Sequence, residues 1–318
     1  MPTVDEITAL QELLEAIRIG EPVSHGALTV VPLLAPLLGP LLGPGSAEPD
    51  WLTLTEAGDK VTIEEIDEGG SVPTLRLRNG ADWPVLLLDG EELVGAKQNR
   101  VLNTTVLVAA QATVTIPVSC VEHGRWSYRS RGFVASEHSL YASLRARKVA
   151  RVNESIRRGD GHTGNQAEIW QDLAAKATFL HASSATDAMN DVFMRFGGAL
   201  REAGESLAAQ PGQVGALVYL YGRWLGLDAL AAPGLFARAW PRLCSGYAAD
   251  ALGREPRVGL RPKPSSVLAL LKSVTAVSSP AVGLGAEHRF ESKAVHGAAL
   301  VVEGRVVHAM AFNGDTAR

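Results

Sequence analysis

Cysteine is scarce in this chain of 318 residues, with Cys120 and Cys244 the only two. Two cysteines cannot build a disulfide framework, and no CxxC pair offers the spacing of a structural zinc site. The pattern points to a reducing compartment. Long hydrophobic runs are lacking too. The most apolar stretch, "VVPLLAPLLGPLLG" from Val30 to Gly43, is interrupted by Pro32, Pro36, Gly39, Pro40 and Gly43. It falls short of the roughly 20 apolar residues that span a bilayer. The start, MPTVDEITALQELLEAI, is acidic and amphipathic, unlike a secretory leader. A cytoplasmic location without membrane attachment is therefore expected. Aromatic residues make up 6%, so Leu, Val and Ala must fill most of the core. A net charge of −4 gives no global attraction to nucleic acid. No P-loop, HExxH, GxSxG or GxGxxG after a strand is present, and the "GLG" of Gly283–Gly285 is too short to count.

What is present reads as an α+β protein, taken as one domain over residues 1–318 with three sub-parts. Residues 21–132 are expected to be β-rich, 133–260 mainly helical with a hairpin near 215–228, and 261–318 a helix plus a closing hairpin. Thr3 and Glu6 have capping-box spacing before a helix lined by Ile7, Leu10, Leu14 and Ile17. Val61 to Glu64 and Leu75 to Arg78 alternate as half-buried strands do, and Asn79-Gly80 signals a turn. Val85 to Leu88 reads as a strand buried on both faces. Val106–Val108 and Val114–Val118 look like paired strands about a short link. Helices are expected from Ser136 to Arg158, after the cap Asn165, after Ser184 or Thr186, around Trp240, and after the cap Ser265. Pro241 should start a helix or kink one. The segment from Gly215 to Leu225 matches that from Gly297 to Val307, with hairpin turns at Tyr221-Gly222 and Glu303-Gly304. Chance similarity of two hairpins is the alternative to a true repeat.

Candidate chemistry gathers in two blocks. "LLLDGEELVGAKQNRVLNTTVLV", Leu86 to Val108, sets Asp89, Glu91, Glu92, Lys97, Gln98, Asn99, Arg100 and Asn103 just past a buried strand. Side chains at a strand end can converge on a ligand. Neighbouring carboxylates such as Glu91 and Glu92 can share a proton and act as acid and base, or share a divalent metal ion. Lys97 and Arg100 can hold a phosphate, while Gln98 and Asn99 supply paired donors and acceptors. The plain alternative is a charged hairpin loop. "SCVEHGRW", Ser119 to Trp126, combines a thiol, a carboxylate and an imidazole in Cys120, Glu122 and His123. Cys120 is a candidate nucleophile with His123 as base, against the usual inert buried cysteine. Downstream, "RWSYRSRGF" and the arginines up to Arg158 interleave aromatic and basic residues. That composition suits phosphates and bases, or simply a solvated helix face, and nucleic acid is not the expected partner.

The two blocks together, with "GLDALAAPGLFARAWPRLCSGYAADAL", resemble the bacterial ARG and rhodanese-phosphatase-superfamily-associated protein domain family. ARG abbreviates ADP-ribosylglycohydrolase. The resemblance covers most of the chain, and the family is named for the genes and domains it accompanies. Asp89, Glu91, Glu92, Lys97, Gln98, Asn99, Arg100, Asn103, Cys120, Glu122 and Trp126 match its central block; His123 is not carried over. That association implies a nucleotide or ADP-ribose-type ligand. The resulting expectation is a bacterial cytoplasmic protein that binds, and as its candidate reaction hydrolyses, a phosphate-bearing small molecule. Glu91, Glu92 and Glu122 would act as acid, base or metal ligands, and Asp89, Lys97, Gln98, Asn99, Arg100, Asn103 and Trp126 would bind the ligand, Trp126 by stacking. The alternative is a non-enzymatic binding or scaffold module whose charged block is a structural ion-pair network. The sequence does not fix the metal, the reaction or the oligomeric state.

Overall fold

The computed structural model describes residues 4–35, 49–66, 73–182, 184–255 and 259–316. Alternation and hairpin chemistry dictate its largest element, an antiparallel sheet ordered β1-β16-β17-β18-β19-β15-β14-β4-β2, where β2 is Arg18–Ile19 and β3 (Val23–His25) also pairs with β4. The central strands are β14 (Gln213–Leu220), β15 (Arg223–Leu230), β18 (Val295–Val302) and β19 (Arg305–Asn313). β14–β15 and β18–β19 are the two hairpins expected from the repeat. Tyr221 and Gly222 at one turn, and Glu303 and Gly304 at the other, all have positive φ. That is the type I′ geometry matching strand twist. Register shifts fall at the corresponding places, Val218/Tyr219 and Leu300/Val301. Continuing the correspondence of Gly215 with Gly297 sets Asp228 against Met310. Those two residues are register partners at the centre of the β15–β19 interface. A local two-fold axis therefore runs between them. Strands β4 (Leu28–Leu34) and β17 (Ala286–Glu291) flank the hairpins symmetrically. Helices α1 (Thr8–Ala16) and α8 (Pro264–Lys272) pack on one face, burying Leu10, Leu14, Val267 and Leu271 with Leu217, Leu227, Ala299 and Ala309.

Only the first half of this duplicated sheet carries an insertion, between β4 and β14. It begins with β5 (Leu52–Thr53), α2 (Leu54–Ala57), β6 (Val61–Glu65), β7 (Thr74–Asn79), β8 (Val85–Leu87), β9 (Glu91–Gly95) and β10 (Arg100–Leu102). β11 (Val106–Val108), β12 (Thr113–Cys120) and β13 (Phe133–Ser139) complete its strands. β13-β9-β10-β12-β7-β6 form a sheet that curls over a core containing Ile63, Leu75, Leu77, Leu93, Leu102, Val118 and Phe133. β11-β8-β5 cover the other side of this core with Val85, Leu87, Val106 and Val108. Helices α3 (Ala142–Arg158), α4 (Gln166–Phe179), α5 (Met189–Arg195) and α6 (Gly197–Ser206) follow. With α7 (Pro233–Ala251) they fill the space between the curled sheet and the duplicated one, around Leu144, Val149, Phe236 and Trp240.

Several expectations need correction. Residues 4–6 form strand β1 (Val4–Glu6) on β16 (Thr275–Pro280), so Glu6 does not cap a helix; Thr3 lies outside the described residues, as does the apolar stretch beyond Ala35. The third sub-part also contains β16 and β17 ahead of its hairpin. Val106–Val108 pairs with β8, and Val114–Val118 with β7 and β10, so the two do not pair with each other. Ser136 to Ser139 are strand, and the helix starts at Ala142, because pairing with β9 outweighs local helix propensity. Pro241 sits inside a continuous α7. Neither Ser184 nor Thr186 is the N-cap of α5; Ala188 is, with its N–H donating to Ser184 Oγ at 2.9 Å. The last helix starts at Pro264, after Lys263, so Ser265 lies within it.

Candidate ligand site at the mouth of the curled sheet

The first charged block folds as a turn and a hairpin. Asp89-Gly90 reverses the chain with Gly90 at φ +83, and the Arg145 side chain passes 2.7 Å from where a Cβ would stand. Glycine is thus needed both for the conformation and for the approach. β9 and β10 then pair antiparallel, and side chains alternate between faces. Glu91 and Glu92 consequently point apart, and the structure does not bring them together as an acid pair. Glu91 reaches α7, where Arg242 Nη1 donates to it at 2.6 Å. Glu92, in register with Val101, lies near Ser136, Asn99 and Glu122. Asn103 leaves the block altogether, donating to His162 O at 2.9 Å and accepting from Ser119 Oγ at 2.9 Å.

Asp89 anchors a network that sequence reasoning did not find. Lys148 Nζ and Arg145 Nε of α3 lie 2.5 and 3.3 Å from its carboxylate. The Arg145 guanidinium also grips Asp228 with two bonds, 2.9 and 2.6 Å long. Asp228 accepts from Tyr247 Oη at 2.7 Å and contacts His308 Nε2 at 2.9 Å, and His308 Nδ1 meets Thr105 Oγ1 at 2.7 Å. Burial alone would raise the Asp228 carboxyl, but Arg145 and His308 hold it far below the usual range. Burial pushes the Lys148 amine down to about 8, against the pull of Asp89. A second buried set joins Glu287 to Arg289 at 2.7 Å and His162 at 2.6 Å, with Thr104 as a further donor. These residues stand far apart in the sequence as isolated charges, so no local spacing reveals them.

The other end of the block converges with "SCVEHGRW" at the mouth of the curled sheet. Arg100 points inward, in register with Leu93 and Cys120, and is fully buried. Its Nη1 donates to Gln98 O and Oε1 at 3.3 and 3.1 Å. Its Nη2 lies 3.6 Å from Glu65 Oε1, too far for a hydrogen bond, and neither Nη2 nor Nε has a hydrogen-bond partner among the described residues. Gln98 Nε2 donates to Glu122 O at 2.9 Å, and Cys120 Sγ contacts Gln98 Oε1 and Glu122 O at 3.2 and 3.1 Å. Burial raises the Cys120 pKa and outweighs the Glu122 N–H, the Arg100 charge and the Trp170 indole, which favour the thiolate, so the setting is that of a thiol. His123 stacks edge-on against Trp170 of α4, centroids 4.3 Å apart. Trp170 Nε1 is buried and turned toward the Cys120 thiol. Its neighbour one turn earlier, Gln166, bonds the Cys120 backbone in both directions at 2.8 and 2.7 Å. Trp170 was missed because a lone Trp on a helix ordinarily means core; its one-turn spacing from Gln166 was the available signal.

Glu122 and Glu92 are driven in opposite directions. Burial would raise Glu122, yet hydrogen bonds from Arg125 at 2.6 and 2.8 Å, Thr186 at 2.8 Å and the Asn99 N–H at 3.0 Å lower its pKa. Glu92 has both oxygens buried, and only Ser136 and Asn99 approach as donors, too weakly to offset its burial. Burial, reinforced by Glu122 and Asp191, pushes it up to about 8, so it is a neutral acid at pH 7.

Over the mouth stand Trp126 and Tyr128, 50% and 55% exposed. Lys97 Nζ lies 5.2 and 5.1 Å from their ring centroids, and the Arg100 guanidinium carbon 5.9 Å from that of Trp126. The loop "GRWSYRSRG" adds Arg125, Arg129 and Arg131 and no acid. Arg125 is matched by Glu122 there, and the arginines of α3 are matched too, Arg147 by Asp172, Arg151 by Glu168 and Arg158 by Glu154. Among the described residues no group of three or more His, Cys, Asp and Glu is placed to hold a metal ion. No helix there is long and apolar enough to cross a membrane.

The model of the ARG and Rhodanese-Phosphatase-superfamily-associated Protein domain matches residues 16–312, and the chain belongs to that family. No curated protein and no solved structure matches it.

Proposed function

We propose that this member of the family binds a phosphate-bearing small molecule of nucleotide or ADP-ribose type at the mouth of the curled sheet. The observation that carries the reading is the buried Arg100 guanidinium, whose Nε and Nη2 have no hydrogen-bond partner among the described residues and whose carbon lies 5.9 Å from the ring centroid of half-exposed Trp126. A buried donor left unpaired costs about 1–3 kcal/mol, and an anionic oxygen would relieve it. Arg100 and Lys97 hold the phosphate, Trp126 and Tyr128 stack on the base, and Gln98 and Asn99 orient the ligand. Asp89, Glu91 and Asn103 belong in this reading to the surrounding frame. If hydrolysis occurs, Glu92 as neutral acid and Glu122 as carboxylate have the split that acid–base chemistry uses. The family's association with the ARG and rhodanese-phosphatase superfamily fits a phosphate-related role. The test is calorimetric titration of AMP, ADP and ADP-ribose, with and without Mg²⁺, against wild type, Arg100→Ala and Trp126→Ala. Binding to wild type that both variants weaken is expected; no binding and no shift in melting temperature at millimolar ligand would remove the reading.

A second reading, a scaffold module, is favoured by one observation. Asp89 and Glu91 are engaged by α3 and α7, which tie the inserted sheet to the duplicated one. It predicts that the block governs stability without any small ligand.

A further inference from the structure

Away from the curled sheet, a groove of about 440 Å³ opens where the β14–β15 turn meets α8. That size lies within the range of small-molecule pockets, roughly 300–1,000 Å³. Its floor is the cross-strand pair Tyr219 and Trp224. Both residues are at least nine-tenths buried, and Tyr219 Oη and Trp224 Nε1 have no hydrogen-bond partner among the described residues. One wall is the strand-like segment at Leu260, whose N–H donates to Tyr221 O at 2.8 Å. Gly222 lets this segment close in, since a Cβ there would stand 1.6 Å from Leu260 O. The other wall is the first turns of α8, entered by Pro264, where unpaired N–H groups favour negative charge. Arg261 and Lys263 stand at the rim, and no acidic residue lines the groove among the described residues.

We infer that this groove is a second ligand site, for a small organic anion, a carboxylate or phosphate ester, carried on a flat apolar body. The aromatic floor and Leu260 contact the body. Arg261, Lys263 and the helix start hold the anionic group, which accepts from Tyr219 Oη or Trp224 Nε1. Two donors, two cations and no acid leave an anion as the complement of the groove. The site is independent of the mouth of the curled sheet and shares no residue with it.

The chain has six tryptophans, so its labelled indole N–H groups give few enough NMR signals to follow singly. Phenyl phosphate and phenylacetate are titrated into ¹⁵N-tryptophan-labelled protein, with the Trp224 signal assigned through Trp224→Phe. The Trp224 indole should shift with one or both probes, and the stronger response identifies the head group. Arg261→Ala/Lys263→Ala should weaken that response at least tenfold, and Tyr219→Phe, which preserves packing, at least twofold. Trp126→Ala should leave it within twofold. A Trp224 signal unmoved by both probes at millimolar concentration overturns the inference, as does unchanged affinity in the Arg261/Lys263 variant.

Discussion

The two ends of one short block, Asp89–Glu91 and Lys97–Arg100, are equally charged in sequence and differ in how the fold satisfies them. Asp89 and Glu91 meet cations from α3 and α7 at 2.5–3.3 Å. Arg100, equally buried, keeps two nitrogens without hydrogen-bond partners among the described residues, and Glu92 between the two ends meets no cation, only Ser136 and Asn99. Asp89 is matched on both oxygens, whereas Glu91 keeps Oε2 unmatched; buried charges matched by cations hold a structure in one arrangement, and those left partly unpaired are where a ligand or a proton can change the balance. Charge density is alike at the two ends, and the unmet hydrogen-bonding capacity at Arg100 is what the proposed ligand reading rests on.

The sharpest break in this comparison is Arg145→Ala. It strips Asp89 and Asp228 of their shared cation, and the loss of one partner from a buried pair costs about 3–5 kcal/mol. Urea unfolding should show at least that loss, and an Asp89→Asn/Arg145→Ala double-mutant cycle should show strong coupling. A variant that unfolds like wild type would mean the network is not what joins the sheets.

Next in size is Glu92→Gln. The folded carboxyl titrates at about 8 and the ordinary one at 4.5. A raised folded pKa means that the native state holds its proton longer than the unfolded chain. Its contribution to stability is therefore intact below pH 4.5 and falls as pH rises through about 8. Replacing the carboxyl by an amide should stabilise the protein at pH 8 by on the order of 3 kcal/mol and do little at pH 4.5. Melting curves at the two pH values check this, and an equal effect at both would contradict the buried neutral acid.

Glu91→Gln should cost less, about 1–2 kcal/mol, because Arg242 keeps partial access to solvent at 12% side-chain exposure. Trp126→Ala should be smallest on stability, under about 0.5 kcal/mol for a half-exposed ring. Under the ligand reading the same change costs about 1–3 kcal/mol of binding, the worth of one stacked base. Calorimetric affinity together with chemical denaturation separates the two effects, and a variant with wild-type affinity removes Trp126 from the site.

Some of this was legible along the chain. The stripe of Leu10, Leu14 and Ile17, the cap Asn165 and the turns Tyr221-Gly222 and Glu303-Gly304 act over a few residues, so local chemistry sufficed to place them. Repeat similarity between Gly215–Leu225 and Gly297–Val307 anticipated two hairpins; their two-fold relation needed the β15–β19 register. Ser136 was assigned to a helix because its decisive interaction, pairing of β13 with β9, spans more than forty residues of chain. Within the site, Lys97, Gln98, Asn99, Arg100, Cys120, Glu122 and Trp126 were visible as two dense motifs. Trp170 and the partners Arg145, Asp228, His308 and Arg242 were not, since each stands alone among ordinary neighbours.

The sequence by itself determined the α+β class, the paired hairpins and the residues that make the block polar, because backbone turns and side-chain periodicity are set by near neighbours. Only the tertiary structure decided that Glu91 and Glu92 face apart, that Asp89 is locked to Arg145 and Lys148, and that Arg100 sits under Trp126 with donors to spare. Those outcomes depend on which strand pairs with which and on what helix covers each face. Desolvation and pairing are properties of the packed interior, and no stretch of the chain carries them alone.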